Sequence, residues 1–296
     1  MSFINSHTST LFHYTNKGIN IISILREGLK YSYCKEEFTS EICIGIPMIS
    51  FCDIPISRCV EHNSKYGFYA IGLSKEFLVK MFSNRINPVN YILSDEQIKA
   101  AYLLRQDYLQ AERKWLNDVE KVKSEGAKEI EGNICGLENY KGIGMSLKSP
   151  EMKTMLETFF KINERHPSAN IMIAYMKNYN GIYKNRRFCN YDECEWRMVV
   201  PEYSTKINGE LCDWFWSESE YEKWRKSVEN KFIDVPPLKF SVNDINYILV
   251  HKKDNIPHFV KKISKLDTLC GETLSESDKI LLYSKIISFD TIKMDF

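Results

Sequence analysis

The chain has 296 residues, 44% of them hydrophobic and 27% charged, which is ordinary globular usage and enough chain to bury a substantial core. Forty basic side chains against 39 acidic ones leave a formal net charge of +1, which excludes a histone-like nucleic-acid binder and leaves only a local basic groove open. No apolar stretch approaches the ~18 residues of a membrane span, Met1–Thr10 lacks a signal-peptide pattern, and the nine cysteines, with no C-x-x-C pair, speak against structural zinc and for reduced thiols in the cytoplasm.

The expected architecture is α+β, a single domain over residues 1–296 made of three blocks. Residues 10–93 read as the N-terminal half of a sheet. A strand at Ser9–Tyr14 leads into a helix with Ile19, Ile22 and Leu25 inward, capped by Thr15 or Asn16 and stopped at Gly28. Strands at Ile44–Ile54 and Tyr66–Leu73 follow. Residues 94–166 read as a helical insertion that gives no strand to the sheet. Ser94 with Gln97 resembles a capping box, and helical spacing runs through Ile98, Tyr102, Leu109 and Trp115. An irregular loop is expected over 124–149, then a helix after Pro150 with Met152, Met155, Leu156 and Phe159 inward. Residues 167–296 return to the sheet, with strands at Ile171–Lys177, Gly181–Arg187, Glu193–Val200 and Ile245–Val250. A short aromatic-rich helix capped by Ser217 and Glu220, a helix at His258–Leu266 and a helix-plus-strand at Ser277–Phe296 complete it.

Three stretches carry chemistry. In Leu11-Phe12-His13-Tyr14-Thr15, His13 and Thr15 fall two apart on a strand and share a face, where they could hold a ribose hydroxyl or an amide edge; a satisfied histidine beside a helix cap is the plainer reading. In Glu193-Cys194-Glu195-Trp196-Arg197, a strand would put both acids and Arg197 on one face. Two acids beside one arginine are costly to bury unless paired, and such clusters are where proton affinities are tuned. One glutamate held by Arg197 stays ionised while the other can hydrogen-bond a sugar hydroxyl or act as a base. The apolar run Met198–Val200 takes that strand into the core, which makes this the strongest chemical signal in the chain. In Ser50-Phe51-Cys52-Asp53, with His62, Lys65 and Tyr66 downstream, a small hydroxyl and an aromatic end a strand, and the aromatic could stack a nicotinamide or base; structural packing is at least as good a reading. Lys184, Arg186 and Arg187 form a basic stretch, either a solvated hairpin or a phosphate contact.

The run Leu11–Thr15, then Ile46–Pro55, Tyr66–Leu73, Asn87–Tyr91, Tyr191–Arg197 and Ile245–Val250 resembles the AbiGi family of abortive-infection proteins over most of the chain. That resemblance implies bacterial phage defence or a toxin–antitoxin role, with a phage component as trigger and a cognate toxin or antitoxin protein as partner. The family label is often "antitoxin". The chain is also similar to the ADP-ribosyltransferase fold, whose members share a first strand ending in a His or Arg motif, a middle strand with a small hydroxyl or aromatic, and a late strand with the catalytic glutamate. His13-Tyr14-Thr15, Ser50-Phe51 and Glu193-Cys194-Glu195 stand in those places.

This second resemblance implies a split mixed β-sheet flanked by helices, NAD as the substrate and no metal. It implies cleavage at the nicotinamide bond through an oxocarbenium-like state. Glu195 would hold the nicotinamide ribose and Glu193 would orient the acceptor, with the choice between the two acids open because Trp196-Arg197 follows them directly. His13, Tyr14, Thr15, Ser50, Phe51 and Tyr66 would bind NAD, and Arg186, Arg187 and Arg197 the substrate. Together these readings give a phage-defence toxin that transfers ADP-ribose to a macromolecule, RNA or DNA slightly favoured over protein. The alternative is a non-catalytic antitoxin or sensor that binds a partner protein. On the first reading, His13 and Glu195 should lie on neighbouring central strands and face one cleft.

Overall fold

A computed structural model of the chain describes residues 8–39, 42–59, 65–124, 171–183, 186–200, 206–207, 210–211, 219, 222 and 235–295. The chain divides into two compact units, 1–93 with 175–296, and 94–174.

The first unit is built on one mixed sheet. Its strands are β1 (Thr10–Thr15), β2 (Ser32–Glu37), β3 (Cys43–Cys52), β4 (Tyr69–Ser74), β5 (Ile86–Pro88), β10 (Glu195–Val199), β13 (Ile245–Val250) and β16 (Ile286–Ser288). They run in the order β16-β13-β4-β1-β3-β10-β5, with β2 paired to β3 off that path. β13 and β16 are parallel and the other neighbours antiparallel. Short side ladders pair β6 (Asn90–Ile92) with β7 (Met176–Asn178) and β8 (Asn180–Tyr183) with β9 (Arg186–Cys189). β11 (Lys206–Ile207) pairs with β12 (Glu210–Leu211), and β14 (Thr268–Leu269) with β15 (Glu272–Thr273).

Period-two alternation buries both faces of this sheet. Leu11, Ile71, Ile248 and Val250 point to one face, where α1 (Gly18–Glu27) and α4 (Ile256–Ile263) cover them with Ile21, Leu25, Phe259 and Ile263. Phe12, Ala70 and Leu249 point to the other face and meet Phe289 and Ile292 of α6 (Phe289–Asp295). Two more helices belong to this unit, α2 (Lys75–Phe82) and α5 (Glu276–Ser284). Ser275 and Asp278 close a capping box at the start of α5.

β1 is zipped to β4 by six register pairs but to β3 by only one, Phe12 with Cys52. The ladder of β3 with β2 ends at Met48. Between those two points the sheet parts, and the Ser50 carbonyl accepts a hydrogen bond from His13 Nδ1 at 2.9 Å.

The second unit contains α3 (Asp95–Ser124), which begins where the Ser94 Oγ accepts from the Glu96 amide at 3.2 Å. No strand falls in the described residues of 94–166, and Ile98 is buried as its spacing predicts. The expected loop at 124–149 and the helix after Pro150 lie outside the described residues, apart from Ser124 itself, as does the Ser217 cap. Among the described residues no helix is long and apolar enough to cross a membrane.

Several expectations need correction. Lys17, not Thr15 or Asn16, is the residue before α1, and no side chain caps it; the Thr15 Oγ1 instead accepts from Asn20 Nδ2 at 2.6 Å. Ile19 is 56% exposed, because a helix starting at Gly18 turns Ile21, Ile22 and Leu25 inward. Ile171–Ala174 is helical, with only Met176–Asn178 forming a strand, since a short apolar run does not by itself distinguish the two. Gly181–Arg187 is not one strand but parts of β8 and β9, paired as a hairpin.

Gly28 ends α1 at φ +88° and ψ 176°, a region open essentially only to glycine, and a Cβ there would lie 2.5 Å from the Leu238 carbonyl oxygen. That carbonyl accepts from the Leu29 amide at 3.0 Å, which fixes how α1 joins the rest of the core. Gly28→Ala should therefore cost ~1–3 kcal/mol of stability, read as a lower urea midpoint at unchanged slope.

Candidate active site at the parting of the sheet

The parting of β1 from β3 opens a cavity of about 180 Å³. Its walls come from β1 (Phe12, His13, Tyr14), β2 (Cys34, Glu36), β3 (Ser50, Cys52) and β10 (Glu195), with Tyr66, Lys177 and Glu193 closing it. A wider groove of about 1040 Å³ shares Glu36, Tyr66 and Lys177 with it and continues past Lys35, Arg187 and Phe188.

Glu193 and Glu195 reach the cavity by different routes. The expected strand begins only at Glu195; Glu193 ends a 3-10 turn over Asn190–Glu193. Cys194 between them takes the left-handed conformation at φ 43°, which breaks the alternation and swings Glu193 off the strand. Both ends of this crossing are pinned. The Asp53 amide donates to the Cys194 carbonyl at 2.9 Å, the Val89 amide to the Glu195 carbonyl at 2.9 Å, and the Glu195 amide to the Tyr91 hydroxyl at 2.7 Å.

Three acids and three bases then interlock. Lys177 on β7 donates to Glu195 Oε2 at 2.6 Å and to Glu193 Oε2 at 2.9 Å, and lies 4.0 Å from Glu36 Oε1. Arg197, fully buried, meets Glu195 Oε1 through Nε at 2.9 Å and Glu36 Oε1 through a terminal nitrogen at 2.7 Å. Lys65 pairs with the other oxygen of Glu193. Burial alone would push the Glu195 carboxyl up, but the charges of Arg197 and Lys177 outweigh it and hold it at about 2. Burial would likewise lower Lys177, yet Glu195, Glu36 and Glu193 raise it well above an ordinary lysine.

Glu195 is thus an ionised acceptor rather than a proton donor near neutrality. The sign of its linkage follows: between about 2 and the usual 4.5, the unfolded chain binds the proton that the native carboxylate refuses. The stability contributed by this network is present above about pH 4.5 and is lost as pH falls toward 2. Urea midpoints should fall along that limb, and more shallowly in Glu195→Gln.

The other expected site residues are placed as follows. Burial lowers the pKa of His13, against the opposing hydrogen bond to Ser50. A carbonyl can only accept, so Nδ1 carries the proton and Nε2 of the neutral ring is an acceptor. His13 and Glu195 are not on neighbouring strands, because β3 lies between β1 and β10. Register puts Glu195, Cys52 and Phe12 on one face, so His13 alternates to the other and reaches the cavity from the parted edge. There its ring meets Phe51 edge-on at 6.0 Å.

Phe51 also lines the cavity, but at 1% exposure it is packed into the core, so the open aromatic faces beside the acids are those of Tyr14 and Tyr66, whose rings are 6.5 Å apart. Burial, then the charge of Glu193 and a hydrogen bond to it, push the Tyr66 phenol far up. Thr15 is not on the cavity wall. Arg197 has no exposed surface, so it holds Glu195 and Glu36 rather than a ligand. Arg187 is exposed on the wide groove, while Lys184 and the Arg186 side chain lie outside the described residues, as does His62. Among the described residues no group of His, Cys, Asp and Glu is arranged to hold a metal ion.

Sequence reasoning missed Lys177, Glu36 and Tyr91. Lys177 follows an apolar run, and Glu36 sits in a charged stretch that reads as surface; only their three-dimensional convergence reveals them.

The family model for the abortive phage resistance protein AbiGi, described as an antitoxin, matches residues 23–251. The chain is 26% identical over 284 residues to the abortive phage resistance protein AbiGi of Lactococcus lactis subsp. cremoris, covering 91% of this chain and 96% of that protein. No solved structure matches the chain.

Proposed function

The chain belongs to the AbiGi family of abortive phage resistance proteins, and from that premise we propose that it is a phage-defence protein that takes NAD into the parted sheet and transfers ADP-ribose to a macromolecule. The observation that carries this reading is Glu195: a buried carboxylate held ionised on the cavity wall, with a second acid, Glu193, beside it and Tyr14 and Tyr66 facing them. His13, Ser50 and Glu195, one from each segment of the resemblance to ADP-ribosyltransferases, stand on the consecutive strands β1, β3 and β10.

Glu195 lines the cavity, and its carboxylate, which accepts from Arg197 and Lys177, keeps lone-pair capacity for a hydrogen bond from a ribose hydroxyl. Its charge would then stand beside the carbon that turns cationic as the bond to nicotinamide breaks, in a site shielded from water. Glu193, held by Lys65 and Lys177, sits where an incoming acceptor can be oriented. Tyr14 and Tyr66 offer ring faces to the planar base, and the His13 Nε2 an acceptor. The wide groove, with Arg187 at its side, gives the rest of a dinucleotide and a phosphate-bearing acceptor room to lie. The reading is tested by incubating the protein with labelled NAD and host RNA, DNA and protein fractions in turn; label carried by none of the three defeats it.

A second reading rests on a specific observation. Each of the three cavity acids is already matched by a base, which is how a structural core keeps charge, and the matched family model is described as an antitoxin. On this reading the protein keeps the fold and binds a partner protein without chemistry. Phage protection unchanged in both Glu195→Gln and Glu193→Gln would favour it.

A further inference from the structure

We propose that the groove between α1 and α4 docks an acidic amphipathic helix of a partner protein. This groove, about 540 Å³ in volume, lies on the sheet face opposite the acids, so it stands whether or not the cavity transfers ADP-ribose. Its floor is apolar: Ile19, Ile22, Tyr69 and Phe259, the last two stacked at 5.9 Å. Gly18 lets the start of α1 come this close, because a Cβ there would lie 2.9 Å from the Phe259 ring and 3.0 Å from Tyr69. Ile19, at 56% exposure, is a large aliphatic side chain left in solvent inside a concavity. Scattered exposed apolar residues are normal, but one set in a groove with an apolar floor is the anatomy of a recognition site.

The rim specifies the charge of the occupant. His258 and Lys262 line the groove. Lys17 precedes it, Arg26 lies one turn beyond Ile22 on the same stripe of α1, and Lys261 adjoins Lys262. None of Lys17, Arg26, Lys261 and Lys262 pairs with an acid among the described residues, whereas Glu27 nearby is engaged by Lys30. A helix with leucine-like residues at i, i+3 and i+4 and acids flanking them would fill the floor and neutralise the rim. Nucleic acid fits less well, because the apolar group most exposed in the groove is the aliphatic Ile19, while Tyr69 and the buried Phe259 stack on each other.

The test uses the full chain and a fluorescein-labelled peptide with leucines at helical spacing flanked by glutamates, read by fluorescence anisotropy. The same peptide with lysines for glutamates, and a single-stranded RNA, serve as rivals. We expect the acidic peptide to bind, the lysine peptide not to, and salt to weaken the binding. Ile19→Glu, at an exposed position, and Lys262→Glu should each weaken it about tenfold or more. Circular dichroism melts check that both variants stay folded. No binding of the acidic peptide, equal binding of the lysine peptide, tighter binding of RNA, self-association of the chain through this face, or affinity unchanged in both variants would each overturn the proposal.

Discussion

Glu195→Gln is expected to lower ADP-ribose transfer by ~100-fold or more while NAD still binds. The amide keeps the shape of the side chain and can still accept from a ribose hydroxyl. It removes the negative charge, which the proposed mechanism needs only once the ribose becomes cationic, so the loss should appear in kcat and hardly in KM. Glu193→Gln should fall on acceptor use instead, leaving slow release of nicotinamide to water. Growth arrest in a bacterial host and labelled-NAD turnover report the two variants separately. If Glu193→Gln alone silences turnover, the roles within the pair are reversed.

The larger structural effect is expected from Arg197. Its guanidinium is fully buried between Glu195 and Glu36, and burial, which would lower its pKa, is outweighed by those carboxylates. Arg197→Met strips the buried Glu195 and the half-buried Glu36 of their counter-charge while Lys177 alone remains near both. Breaking a buried pair from one side typically costs ~3–5 kcal/mol, because the stranded charge is worse than no pair at all. Chemical denaturation should show that loss, and adding Glu36→Gln should recover part of it by taking the network from three acids against two lysines to two against two. A double variant no better than the single one would mean that Arg197 acts through packing and not through charge.

Much of this arrangement is legible in the sequence, for physical reasons. β13 spans Ile245–Val250 as expected, since a short apolar run rich in β-branched residues suits a strand better than a helix. β1 and β3 are found within a residue or two for the same reason, and the resemblance to AbiGi is borne out by the match over residues 23–251. What stays hidden depends on departures from period. A left-handed Cys194 cannot be read from a cysteine, so Glu193 is assigned to a strand that it does not join. Glu36 and Lys177 are 141 positions apart, and nothing local ties either to Arg197. The parting between β1 and β3 is likewise invisible, because it is a missing ladder rather than a motif.

That missing ladder makes the sheet two plates whose β1–β3 edge is held by one register pair, the His13–Ser50 hydrogen bond and the contacts of Thr8 and Lys75 with Asp53. A molecule lying in the gap and touching both β1 and β3 would serve as a tie between the plates. Its binding energy would then register as resistance of the whole unit to unfolding, rising with ligand concentration by mass action. Occupancy of the small cavity would in this way stiffen the strands of both plates together, rather than the cavity wall alone.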